Sequence, residues 1–171
     1  MKKTMTTLAI AGLCAMSAGA FAATDSANAV VTWKGTVPGV LPGNTITVTG
    51  LGGGDIPAGQ LNVLEDGTFA SAESVILESR SYDETKPESE RTGDLIQATW
   101  KLKAVSVSPA SYHKEDVKVS FNNSEIAVGT DLGDLTDTIS VDVRNDVAND
   151  QVTPSQSVQV TTIAVASVEV A

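Results

Sequence analysis

Few residues in this chain have the types and spacing that chemistry needs. The only histidine, His113, is set among Ser111, Tyr112, Lys114, Glu115 and Asp116. A hydrolytic triad needs a base held beside its nucleophile, and one histidine in so polar a stretch reads instead as an exposed loop residue. Asp83, Glu84, Glu88 and Glu90 could in principle pair for glycoside chemistry. Nothing apolar surrounds them to raise one pKa above the other, so they read as a solvated face. The run Gly50-Leu51-Gly52-Gly53-Gly54 follows a predicted strand, as a dinucleotide-binding turn would. It leads into Asp55-Ile56-Pro57 and another strand, where a phosphate site requires a helix N-terminus. Asp131, Asp134 and Asp137 lack the alternate-residue spacing and the central glycine of a calcium loop. Zinc would need more ligands than one histidine. The expectation is a chain that is no enzyme and carries neither metal nor cofactor.

The polypeptide that must position anything else begins with a leader. Lys2 and Lys3 precede an apolar run over residues 8–20 and the small-x-small pattern Ala20-Phe21-Ala22, which reads as a cleavable secretory signal over residues 1–22. The run is shorter than the ~20 apolar residues of a membrane span. Cys14, the only cysteine, lies inside it behind Leu13, which is too large for the small residue of a lipoprotein signal. Cleavage would leave about 149 residues, the size of one domain, with no disulfide available. The formal charge of −10 becomes about −12 without Lys2 and Lys3. Such acidity excludes nucleic acid as a partner, because phosphate binding depends on basic groups that release counterions.

Behind the leader, residues 23–37 alternate. Ala27, Ala29, Val31, Trp33, Gly35 and Val37 are apolar or small, whereas Asn28, Thr32, Lys34 and Thr36 are polar and only Val30 breaks the rule. Period two predicts a strand with one face to bury. Pro38-Gly39 and Pro42-Gly43 then stop it. Short strands are expected over residues 44–49, 60–64, 68–72 and 74–79, the middle two joined by the hairpin signal Asp66-Gly67. Residues 81–94 read as a solvated loop. Residues 95–102 are the most convincing interior strand, with Trp100 at the core centre, extended by 104–107. Residues 117–121 and 125–128 form a hairpin around Asn122-Asn123-Ser124, and Ile139, Val141 and Val143 mark another strand. The last segment, 158–170, is long and β-branched. Its apolar parity shifts between Val160 and Ile163 and again before Val168, which predicts a bulge or a strand buried on both faces. No segment shows helical periodicity. The fold expected is all-β, a sandwich of many short strands.

The leader, the arm Val31-Thr32-Trp33-Lys34-Gly35-Thr36-Val37-Pro38, the hairpin from Val117 to Gly129 and the alternating final strand together resemble major subunits of chaperone–usher fimbriae, and most nearly the coli-surface-antigen colonisation fimbriae of enterobacteria. The resemblance implies an incomplete immunoglobulin-like β-sandwich (residues 33–171) behind an N-terminal donor-strand extension (residues 23–32). It implies a head-to-tail polymer of copies of the chain, each filling its neighbour's groove. A periplasmic chaperone and an outer-membrane usher would assemble it into an extracellular fimbria, with a tip adhesin and a host receptor as further partners. Carried over by position, Ala27, Ala29, Val31 and Trp33 would be donor-strand side chains. Val158, Val160, Ile163, Val165, Val168 and Val170 would edge the acceptor groove.

The residues alone also allow a different reading. A secreted sandwich could act as a monomer that binds a glycan or a host protein, with Tyr82, Tyr112 and the acidic loop as contacts. The two readings differ on whether the arm folds into its own domain or leaves it.

Overall fold

β-branched residues at alternate positions, punctuated by Gly, Asn and Pro, give ten strands in the computed structural model, which describes residues 42–169. These are β1 (Ile46–Thr49), β2 (Leu61–Val63), β3 (Phe69–Ser71), β4 (Val75–Tyr82), β5 (Thr92–Leu95), β6 (Thr99–Ser108), β7 (Val117–Phe121), β8 (Ser124–Ile126), β9 (Thr138–Asn145) and β10 (Gln159–Ser167). Among the described residues the only helical segments are three single 3-10 turns. The fold is all-β, and sandwich-like.

Eight strands make one sheet. β4 lies between β1 and β9, while β9 pairs on its other edge with β7, and β7 with β8. β3 shares β9 with β4: β4 pairs residues 138–141 and β3 pairs residues 144–145. Between these stretches the chain bulges out over the exposed residues 72–74, and a side chain fills the break in the ladder. Ser71 Oγ accepts the Val143 N–H at 2.8 Å and donates to the Val143 carbonyl at 3.2 Å.

The second sheet has two strands, β6 and β10. The outer flank of β6 is covered over residues 98–102 by residues 129–136, through Gly129 N–H to Leu102 O (2.7 Å), Leu132 N–H to Trp100 O (2.8 Å) and the bridge Ala98–Thr136. The core fills the space between the sheets. Leu77, Val119, Phe121, Ile126, Ile139 and Val141 of the large sheet meet Trp100 and Leu102 of the small one. Trp100 is fully buried, and its Nε1–H donates to the Thr136 carbonyl at 3.0 Å, as a buried indole requires. A second cluster joins Phe69, Tyr112 and Val117 to Val158 and Val160.

Three expectations are corrected. The strand expected over residues 95–102 is two: Leu95 ends β5 in the large sheet, the chain crosses at residues 96–98, and β6 begins at Thr99 in the small sheet. The alternation runs unbroken across the crossing because Ala98, Trp100 and Leu102 all face the same interior. Part of the loop expected over residues 81–94 is strand, since β4 runs on to Tyr82 and β5 starts at Thr92. The bulge also lies elsewhere. β10 keeps one parity throughout, with Val160, Ala164 and Ala166 turned to the core, and the register shift between Ile163 and Ala164 leaves the extra residue, Lys103, on β6. Inward positions on β6 accordingly change from Trp100 and Leu102 to Val105 and Val107.

Candidate functional site: the open side between the first and last strands

Strand edges left unpaired among the described residues and half-covered apolar side chains meet along β1 and β10. β10 pairs with β6 alone and β1 with β4 alone among the described residues. The two strands belong to different sheets, lie against each other, and share no ladder. Their inward residues are less buried than those at the core centre, as are Val75, Val105, Val107 and Val143 on the neighbouring strands. Leu77, Trp100, Val119, Phe121, Ile139 and Val141, on β4, β6, β7 and β9, are buried. Val48 on β1 and Ala164 and Ala166 on β10 pack against the same core and stay half-exposed, as do Ile46, Val160 and Val168. A strand edge nine residues long, with a row of half-buried apolar side chains beneath it, can accept one more strand.

The predicted groove residues divide by face. Val158 and Val160 turn inward onto Phe69, Tyr112 and Val117, and Val168 shares their parity and is half-buried. Ile163 points to solvent, 48% exposed, and Val165 lies on its side of the strand, half-buried. Val170 lies outside the described residues, as do the predicted donor residues Ala27, Ala29, Val31 and Trp33. Ala164 and Ala166 also line the open side. Their signal in the sequence was the even parity of β10, obscured by Ile163 and Val165 on the odd positions.

His113 is exposed, and Ser111, Tyr112, Asp131 and Asp137 make contacts within the domain. Ser111 Oγ meets the Asn149 amide at 3.3 Å. The Tyr112 ring is buried edge-on to Phe69, with its hydroxyl donating to the Gly67 carbonyl at 2.7 Å. Burial, with the nearby Asp66 charge, pushes the Tyr112 phenol above its usual range. Tyr112 is therefore not on the surface where the binding-module reading needed it. Asp131 pairs with Lys101, and Asp137 accepts from Gln97 and Thr138.

The glycine run does receive an anion, and the anion is internal. Gly52 (φ 69°) and Gly53 (φ 78°) take left-handed conformations that suit glycine, and their N–H groups converge on the Glu78 carboxylate at 2.9 and 3.0 Å. Arg80 adds Nε and Nη2 at 2.9 and 2.7 Å, and its Nη1 donates to Gly93 O on β5. The Gly52 N–H first, then the Arg80 hydrogen bond, holds the Glu78 carboxyl below the usual carboxylate range. Only 6% of the Glu78 side chain is exposed. Sequence reasoning missed this site because Glu78 lies 26 residues from Gly52.

No model of a known protein family matches the chain, and no curated protein is similar enough to count as a relative.

Proposed function

We propose that the chain is a structural subunit of a surface fimbria that polymerises by donor-strand exchange. The observation that carries this reading is the open side: β1 and β10 lie together without a ladder, above apolar residues that no described strand covers. The domain is then an incomplete immunoglobulin-like sandwich. The occupant is residues 23–31 of the next copy, whose alternating Ala27, Ala29 and Val31 give a strand of nine residues, equal in length to β10. Each added main-chain hydrogen bond contributes about 0.5–1.5 kcal/mol net, and the inward pockets choose the register. Small donor side chains leave much of the strength to the backbone ladder. A head-to-tail contact of this kind does not close on itself, so it builds a filament.

On this reading a periplasmic chaperone covers the open side until an outer-membrane usher exchanges it for the arm, and the product is extracellular. The test is deletion of residues 23–31. Full-length protein is expected to form ladders of oligomers that resist detergent until heated, and the deleted form to stay monomeric. Ladders from the deleted form would sink the donor role.

A further inference from the structure

We propose that Glu78 is a positioning residue for strand insertion, gripping the Gly52–Gly53 turn so that β1 stays seated as one border of the open side. The proposal rests on the donor-strand reading above and deepens it.

β1 is the least secured strand of the border. It is four residues long, bonded along one edge to β4, and its inward Ile46 and Val48 are half-exposed. Thr49 Oγ1, at its C-terminal end, is buried without a partner, so that end gains no hold from its own side chain. Hydrogen bonds at the end of so short a strand fray readily unless something beyond the strand holds it. That hold is the turn just after Gly50. The chain closes there through Gly50 N–H to Gly54 O (2.8 Å) and is fastened to β4 by the two N–H groups on Glu78.

Glu78 suits this work because it lies inside the sheet, paired on both edges of β4. It pairs with Thr49 on one side and with Thr138 of β9 on the other. Arg80, which faces Thr47 of β1, fixes the carboxylate and reaches across to Gly93. A buried carboxylate with four donors is satisfied only while the turn is in place. Lifting β1 from β4 would leave that charge short of two partners, which ties the seating of β1 to an interaction on the opposite face from the opening. β1 is also the strand that the N-terminal segment runs into, so any load or motion of that segment reaches it first.

The test compares full-length wild type, Glu78→Gln and Glu78→Ala as dilute monomers, by hydrogen exchange of β1 and β9 amides and by the rate of self-association. Both variants are expected to raise β1 exchange by about tenfold or more while β9 exchange stays unchanged, and to slow association. In Glu78→Ala, formate should enter the vacated nest and restore both β1 protection and the association rate, whereas chloride at equal ionic strength should not. Three results would overturn the proposal: unchanged β1 exchange, equal loss of protection in β9, or wild-type association despite a loosened β1. Failure of the donor-strand reading would appear separately, as association that persists after residues 23–31 are deleted.

Discussion

At the scale of single residues, three polar side chains answer to different physics. Glu78 is the titrating one. Its folded-state pKa is depressed, first by the Gly52 N–H and next by Arg80. Its contribution to stability is therefore complete above the ordinary carboxylate pKa and lost as pH falls through the lower folded value. Urea unfolding of wild type and Glu78→Gln should differ by about 2–3 kcal/mol near pH 7, the worth of hydrogen bonds to a charged group. The difference should shrink as the pH drops below 4.5, and a gap that persists in strong acid would contradict the assignment. Tyr112→Phe removes a buried donor from the Gly67 carbonyl while keeping the ring against Phe69. A loss of about 1–2 kcal/mol is expected in the same measurement. Ser71→Ala strips the Val143 N–H of its partner inside a break in the ladder, and loss of this half-buried hydrogen bond is expected to cost about 1 kcal/mol in urea unfolding.

At the scale of elements, Lys103 has the largest consequence. As the extra residue opposite Ile163 and Ala164, it lets Trp100 and Leu102 on one side of the bulge, and Val105 and Val107 on the other, all face inward. Deleting Lys103 would send either set outward, since a one-residue slip exchanges the two faces of a strand. Circular dichroism should show no cooperative thermal transition for the deletion, whereas Lys103→Ala should melt close to wild type. This element also shows what the sequence could and could not convey. Strands such as β7 and β9, with one face buried and one solvated, were legible because each alternates within itself. Sequence parity points to a bulge on β10, because its odd positions Ile163 and Val165 are apolar although they face away from the core. The partner strand that carries the irregularity reads as smooth alternation up to Leu102, because pairing is not written in either strand alone. The same limit hid Glu78, whose partners are set by the sheet and not by sequence spacing. The open side was legible only in part. A long apolar final strand could be read, but that β10 pairs along one edge alone among the described strands is written in no local pattern.

At the scale of the whole molecule, copies that carry a formal charge of −10 repel one another before they meet. Salt should therefore speed self-association. Light scattering is expected to show a faster rise at about 0.15 M salt than at 0.01 M, because the Debye length falls from ~30 to ~8 Å. A rate independent of salt would mean that charge has no part in the encounter. The two-stranded sheet has a consequence of another kind, in the order of events as the chain is made. β6 and the strand that pairs with it lie about 50 residues or more apart in sequence, and β10 is the last strand of the ten. Trp100 and Leu102 must wait for it, with β7, β8 and β9 of the large sheet synthesised in between. The domain thus cannot finish its interior early. A chain cut short anywhere before β10 leaves one edge of β6 and the core beside Trp100 and Leu102 open, a state that proteases recognise and that marks the molecule as unfinished.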